Sequence, residues 1–370
     1  LVAIERVENR RSRREFLEFP YRLYRGHPYW VPPLRSEQRA LFDVRRHPFY
    51  QEAEMERFLA VAGGRTVGRI AAILDHRYIR YQQEQAGWFG FLEMEEDAEV
   101  AAALIQAASD WLARRGIRLM RGPMNPSANY ECALLVEGFD SPPCVMMPYN
   151  PPYYAQLLER TGLRKAKDLY AYHTTATEIQ ISRAERLAER AAAEHGVRVR
   201  TVRLKDFDAE LERFFHIYNS AWSRNWGFAP MSRAEMEYLG RQLKPVMDPN
   251  LALLAEIGEK AVGCALALPD INQALRYANG RLFPLGLFKI LYHKRAIRRI
   301  RVLILGVLEE YRATGAAAAL YAALFRNGQR AGYDEGEFSW VLEDNVMMNR
   351  ALEALGARRY KTYRIYEWKG

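Results

Sequence analysis

The chemistry legible in this chain begins at Arg312-Ala313-Thr314-Gly315-Ala316-Ala317. This polar, small-residue turn follows an apolar run and precedes an amphipathic segment. A strand, a glycine-containing turn and a helix start present unpaired backbone N–H groups to an anion, and the helix dipole favours negative charge there. Candidate proton acceptors are Glu131, set among aromatic and apolar neighbours that would raise its pKa, and Glu343, which with Asp344 ends the strand after the turn. Asn125, Asn129, Tyr149, Asn150 and Tyr153 lie in or beside a proline-rich stretch and could orient an acceptor or stitch an ordered loop. Asp270 and Asn272, after a second hairpin, are of the same kind.

The elements that must position these groups follow from the pattern. Arg301–Val307 (RVLILGV) reads as a central strand buried on both faces. From Ala316, apolar positions Ala317, Leu320, Tyr321, Leu324 and Phe325 give a helix with one buried face, stopped at Gly332. Glu337–Val341 reads as the next strand, Asn345 opens a helix ending at Leu355-Gly356, and Lys361–Tyr366 is a further strand. Upstream, the pattern predicts a strand at Val2–Val7 and a helix over Ser12–Tyr24 with a Ser12/Glu15 capping box. It then predicts a hairpin around Gly63-Gly64, a strand at Trp88–Glu93, a helix over Ala98–Arg115 and a strand at Ile117–Arg121. After the irregular segment 122–152 come a helix at Tyr153–Arg160 and a strand at Lys167–His173. Ser182–Glu194 reads as a helix with a Ser182/Glu185 capping box, and a second hairpin turns at Gly258.

The two halves match. Leu158-Glu159-x-x-Gly162-x-Arg164-Lys165-x-Lys167 aligns with Leu352-Glu353-x-x-Gly356-x-Arg358-Arg359-x-Lys361, and Tyr172 with Tyr366. At 370 residues the chain is long for one core, so two domains are expected. They are residues 1–175, with an acceptor-site insertion at 122–152, and residues 197–370, joined by a linker and connecting helix at 176–196. The fold class is α/β (α+β), with a mixed central sheet flanked by helices in each domain. Where the second half has Arg312-x-x-Gly315, the first has Glu95-Glu96-Asp97, which would repel phosphate. The first half is therefore expected to shape or cover the acceptor site.

Hydrophobic content of 49% with 27% charge marks a soluble globular class. A net charge of +9 suits anionic partners without choosing among phosphates, an anionic membrane and RNA. Cys132, Cys144 and Cys264 form no CxxC pair and read as reduced cytosolic packing thiols; the histidines show no metal spacing, so no metal is expected. No signal peptide or spanning segment is legible, which predicts a cytoplasmic protein. Leu282–Tyr292 (LFPLGLFKILY) and the basic residues after it suit an acyl chain, a lipid amine or peripheral contact with an anionic membrane, or else a core helix with a solvated basic end. No aromatic–basic alternation supports nucleic acid.

The pattern Arg312-x-x-Gly315-x-Ala317 resembles the pyrophosphate loop of the GNAT acyl-CoA N-acyltransferases. Asn345, Glu353, Leu355 and Gly356 fit the family segment that follows, whereas Leu352 stands where a tyrosine acid is common and Ala357 where Phe is. Arg121–Glu131, Leu135–Asp140 and Met147–Asn150 further resemble a bacterial family of tandem GNAT-like N-acyltransferases, across nearly the whole chain. The resemblance implies acyl-CoA (a coenzyme A thioester) as co-substrate, held by Arg312, Ala313, Thr314, Gly315, Ala316, Ala317 and Asn345. It implies that backbone amides near Gly306, Val307 and Leu308 face the thioester oxygen. The expected reaction is acyl transfer to an amine bound between the domains. Members similar to ceramide-forming enzymes point to a lipid or long-chain amine. Two alternatives stay open: an aminoacyl-tRNA-dependent transferase of the peptidoglycan-bridge type, and a non-catalytic acyl-CoA-binding protein.

Overall fold

A computed structural model describes all 370 residues. The chain opens with β1 (Ala3–Arg6) and α1 (Arg10–Leu23). The helix starts before Ser12 because Asn9 is its N-cap. The Asn9 side chain accepts from the Ser12 N–H at 2.9 Å, and the Ser12 hydroxyl accepts from the Asn9 N–H at 3.2 Å, so the capping box is Asn9/Ser12 and not Ser12/Glu15. After α2 (Arg35–Leu41), β2 (Ala53–Ala62) and β3 (Arg65–Asp75) form the hairpin across Gly63-Gly64. Then come α3 (His76–Gln82), β4 (Ala86–Met94), α4 (Ala98–Ala113) and β5 (Leu119–Gly122). Most of the proline-rich segment is irregular. It holds only the short strands β6 (Met124–Asn125), β7 (Glu131–Cys132) and β8 (Leu134–Glu137) before α5 (Tyr153–Arg160) and β9 (Arg164–Thr175).

The second half runs α6 (Ser182–His195), β10 (Val197–Thr201), α7 (Phe207–Ala221), α8 (Arg233–Leu243), β11 (Ala252–Ile257) and β12 (Lys260–Pro269). It continues with α9 (Asn272–Leu275), α10 (Gly286–Lys294), β13 (Arg299–Val307), α11 (Ala316–Arg330), β14 (Glu335–Leu342), α12 (Val346–Ala354) and β15 (Arg358–Lys369). Ile181, not Ser182, precedes α6 and offers no side-chain cap. The polar turn Glu309–Thr314 is wound into a 3-10 helix.

Two compact units result, and their boundary is not a single cut near residue 176. The first holds Leu1–Leu169, Ala274–Tyr292 and Lys361–Gly370; the second holds Tyr170–Gln273 and His293–Tyr360. The segment after β12 thus packs with the first unit. The Arg35 N–H donates to the Gly280 carbonyl at 3.1 Å, and Arg35 Nη1 donates to the Asn279 carbonyl at 3.1 Å.

Each unit repeats one topology. In the first, β1, β2, β3 and β4 pair antiparallel in sequence, and β5 joins β4 in parallel after the crossover helix α4. In the second, β10, β11, β12 and β13 pair antiparallel, and β14 joins β13 in parallel after α11. The two cores correspond. Leu104, Ala108 and Leu112 of α4 are buried against Ile70, Ala72 and Phe89, and Ala316, Leu320 and Leu324 of α11 against Leu253, Ala265 and Val302.

One ion pair of the first unit tests this packing. Arg364 on β15 donates Nε and Nη2 to the two carboxylate oxygens of Asp168 on β9, at 2.8 and 3.1 Å. Asp168 is buried; despite the upward push of burial, Arg364 and Lys165 hold its carboxyl below the usual range. Asp168→Asn is expected to cost about 1–3 kcal/mol at neutral pH, the range for a hydrogen-bonded pair that keeps some solvent contact. Because the folded pKa is depressed, this stabilisation is present above the unfolded carboxylate pKa and lost as pH falls through the folded one. Urea unfolding at neutral pH and in acid below the carboxylate range should show the difference between wild type and variant shrinking with acid; a constant difference contradicts the assignment.

Candidate active site

The site is built where a parallel strand pair comes apart. β13 pairs with β14 only from Arg299↔Glu335 to Val302↔Phe338. Beyond that, β13 keeps its antiparallel partner β12 as far as Val307 and leaves β14 behind. The register with β12 steps from Ala267↔Val302 to Leu266↔Ile304, so Leu303 is an extra residue, and a bulge of this kind bends its strand. Leu303, Ile304 and Leu305 are only half-buried, as a strand without one neighbour must be. Gly306 is required by packing: a Cβ there would lie 2.3 Å from the Trp222 ring at the end of α7.

At the open end of β13 the chain turns into α11. Gly315 has φ +79° and is the N-cap of α11, with no side-chain cap. The first helical N–H with a backbone acceptor is that of Ala319, which donates to the Gly315 carbonyl. The amides of Ala316, Ala317 and Ala318 therefore lack a backbone acceptor in the chain; Ala316 is fully buried, and Ala317 and Ala318 are half-buried and can meet an external acceptor. Arg312 and Ala313 are exposed; Arg312 Nη2 reaches the Ala221 carbonyl at 3.3 Å. The carboxylates that would repel an anion are engaged, Glu309 by Arg224 at 2.7 Å and Glu310 by Lys260 at 3.4 Å.

The first unit has the same framework with both openings filled by its own side chains. β4 pairs with β5 from Ala86↔Leu119 to Trp88↔Arg121 and then parts from it, with a register shift against β3 between Arg69 and Ala71. Into the gap comes the 122–152 insertion. Asn125 Oδ1 accepts the Phe91 N–H at 2.6 Å, and a Cβ on Gly90 would lie 1.7 Å from the Met124 carbonyl oxygen. The start of α4 is capped by Asp97, whose carboxylate accepts the Glu99 N–H at 2.8 Å. Glu95 pairs with Arg65. The helix start and the strand gap that lack a partner in the second unit are thus filled in the first.

The other sequence candidates fall into two groups. Asn150 is buried and clamps the insertion, accepting the Leu135 N–H at 2.7 Å and donating to the Leu135 carbonyl at 3.1 Å. The Tyr149 hydroxyl donates to the Phe139 carbonyl at 3.2 Å, and that of Tyr153 to the Met94 carbonyl at 2.7 Å. Asp270 is buried 3.9 Å from Arg299, Asn272 begins α9, and the Asn345 side chain caps α12 by accepting the Met348 N–H at 3.2 Å. These polar groups order the chain around them. Glu131, opposite Asn125 in the β6–β7 ladder, is half-buried, as are Asn129 and Glu343. Leu352, where a tyrosine acid is common, is fully buried in the core of the second unit.

Sequence reasoning missed two buried polar networks. In the first unit, Glu93 Oε2 accepts from the hydroxyls of Tyr24 at 2.6 Å and Tyr154 at 2.9 Å. Burial pushes the Glu93 carboxyl up, against the pull of Arg69 and of both phenols. In the second, Arg301 Nε donates to Ser339 Oγ at 2.9 Å, Ser339 Oγ donates to Glu337 Oε1 at 2.6 Å, and the Tyr360 hydroxyl donates to Glu337 Oε2. The available signal was a charged residue inside an otherwise apolar strand: Glu93 between Leu92 and Met94, and Arg301 opening RVLILGV.

Asn125→Ala is expected to strand the Phe91 N–H and cost about 1–3 kcal/mol. Denaturant unfolding checks this. A variant as stable as wild type would mean that the gap between β4 and β5 is not held shut by Asn125.

Comparison with known proteins agrees with this geometry. The sequence is 36% identical over 361 residues, 96% of this chain and 94% of the other, to the bacterial ceramide synthase of Caulobacter vibrioides. It is 35% identical over 366 residues, 97% of this chain and 93% of the other, to protein YghO of Escherichia coli. No protein-family model matches the sequence. Among solved structures, a tandem GNAT protein from the clavulanic acid biosynthesis pathway superposes with a TM-score of 0.58 at 11% identity, over 100% of this chain and 98% of that one. A GCN5-related N-acetyltransferase from Anabaena variabilis gives 0.52 at 12% identity, over 99% of this chain and 72% of that one. At such identities the two structures speak for the fold alone. The repeated topology, the open strand gap above an uncapped helix and the two full-length relatives converge: the chain belongs to the family of the bacterial ceramide synthase and YghO, tandem-domain N-acyltransferases of the GNAT fold.

Proposed function

We propose that the second unit binds an acyl-CoA thioester and that the protein transfers its acyl group to the primary amine of a long-chain lipid base. The observation that carries the donor assignment is the contrast between the two copies of the fold. In the first unit Asn125 takes the Phe91 amide at the bulge of β4 and Asp97 caps the start of α4, whereas in the second β13 has lost β14 at the corresponding Leu303 and α11 starts uncapped at Gly315. At the end of β13 the Leu308 N–H is already given to the Val262 carbonyl at 2.9 Å. The acceptor class rests on the relative named a ceramide synthase, since a ceramide is the amide of a fatty acid with a long-chain amino alcohol.

In this reading the pyrophosphate takes the amides of the half-buried Ala317 and Ala318 and the charge of Arg312, while Ala313, Thr314, Gly315 and the buried Ala316 set the turn. The thioester oxygen faces amides on β13 near Val307, where negative charge develops as the amine attacks. The nitrogen forms a bond to the carbonyl carbon, the C–S bond breaks, and CoA leaves as thiolate. The amine must lose a proton for this, and its acceptor is assigned to Glu131, with Glu343 next. Asn129, two residues before Glu131 in the chain, is assigned to orienting the acceptor. With apolar Leu352 in the tyrosine position, no side chain there protonates the thiolate.

Two variants test the roles separately. At Gly315 a Cβ would lie 2.9 Å from the Ala191 Cβ of α6, and φ is left-handed, so Gly315→Asp mixes folding with binding. Ala313→Asp is cleaner: Ala313 is exposed, so a carboxylate there leaves the core untouched but opposes a pyrophosphate. Calorimetry is expected to show at least tenfold weaker acyl-CoA binding by this variant with an unchanged melting temperature; equal affinity would remove the loop from the donor site. Glu131→Gln should keep acyl-CoA binding and lower turnover about 10²–10⁴-fold at pH 7, with the loss shrinking at high pH where the amine is already neutral. Turnover near wild type at pH 7 would pass the role to Glu343. The acyl series from acetyl- to palmitoyl-CoA should gain affinity, by up to about 0.8 kcal/mol per buried CH2. A flat series below the micellar range would point to a short donor.

A further inference from the structure

The segment between β12 and β13 is apolar and yet largely uncovered. Phe283 is 75% exposed, Leu285 62%, Phe288 68%, Leu291 54% and Tyr292 75%. Leu287, Phe288, Leu291 and Tyr292 share one arc of α10, while Ile290, turned the other way, is buried. The sequence left a core helix and a surface element both open; exposure decides for the surface. The segment is also anchored. Arg35 holds the Asn279 and Gly280 carbonyls, and a Cβ at Gly280 would lie 2.7 Å from Tyr21 and 2.9 Å from the Pro33 carbonyl oxygen. It is therefore a presented face on the first unit, not a loose tail.

Its charge is one-sided. Between Asp270 and Glu309 the chain has eight Lys and Arg residues and no Asp or Glu. Arg276, Arg281 and Lys289 are exposed within the segment, and Lys294 and Arg295 follow at the end of α10. Aromatic and leucine side chains beside cations, on a short helix with a protruding Phe-Pro-Leu turn, are the chemistry of an interfacial element. The apolar arc enters the acyl boundary while the cations meet anionic headgroups. No helix of the chain is long and apolar enough to cross a membrane, so such contact would be peripheral.

We propose that 276–292 is a membrane-docking element that seats the first unit on an anionic bilayer through Phe283, Leu285, Phe288, Leu291 and Tyr292, with Arg281 and Lys289 on the headgroups. This does not depend on the donor or acceptor assigned above, because bilayer binding is measured with neither present.

The test is co-sedimentation of the full chain with phosphatidylcholine vesicles containing or lacking about 30% phosphatidylserine, a fraction sufficient to set a negative surface potential. Wild type should bind the anionic vesicles, and weaken by at least tenfold on neutral ones or in high salt. Phe288→Ser/Leu291→Ser/Tyr292→Ser and, separately, Arg281→Glu/Lys289→Glu should each lose at least tenfold in partitioning to anionic vesicles while keeping the wild-type melting temperature. These side chains are exposed, so the variants are expected to fold. Should the apolar variant unfold, Phe288→Trp supplies the second reading: its emission, less that of wild type, should shift to the blue on vesicle addition. Four results would each overturn the proposal: wild type failing to bind anionic vesicles, the serine and glutamate variants binding as well as wild type, no emission shift in the Phe288→Trp variant, or a wild-type dimer that the triple serine variant dissolves. The last would show that a second copy covers the face.

Discussion

Everything at the candidate site depends on two parallel strands that pair for four residues and then part. A strand that loses a neighbour exposes a row of backbone donors and acceptors, and buried backbone groups must find partners. β13 is bent away from β14 by one extra residue at Leu303, and the gap so made ends at an uncapped helix start. Strand gap and helix N-terminus are two parts of one unmet hydrogen-bonding requirement.

The same constraint explains the asymmetry of the two units. The first unit shares the register shift and the parting of β4 from β5, so it shares the same unpaired groups. It satisfies them internally, with Asn125 on the Phe91 amide and Asp97 at the start of α4. The proline-rich insertion that supplies Asn125 is itself held by Asn150, Tyr149 and Tyr153, which is why so many hydrogen-bonding residues crowd that stretch. Two copies of one fold thus differ by a few side chains at corresponding openings. A carboxylate at a helix start excludes a phosphate at least as well as the loss of the glycine would.

Much of this was legible in the sequence. The alternating and helical periods located the long strands and helices but not α2, α3, α9 or the short strands β6 to β8, the repeat of Leu158–Lys167 in Leu352–Lys361 announced the tandem fold, and the Arg312–Ala317 turn lay where the pattern put it. Capping was misread at both Ser12 and Ser182, because a serine followed by a glutamate three residues on is also an ordinary helix surface and only geometry tells the two apart. The buried networks at Glu93 and at Arg301–Ser339–Glu337 were missed because a charged residue in an apolar strand shows its partners only once distant strands are placed. The split of the chain was not legible for a related reason. The apolar segment after β12 carries no mark of which unit it packs with, and Arg35, its anchor, lies at the other end of the sequence.

Hydrogen–deuterium exchange with and without a long-chain acyl-CoA tests the central claim most directly. The account predicts that the thioester slows exchange of the amides from Leu303 to Ala318 and leaves those from Phe89 to Val100 unchanged. Protection at Phe89–Val100, or none at Leu303–Ala318, would contradict it.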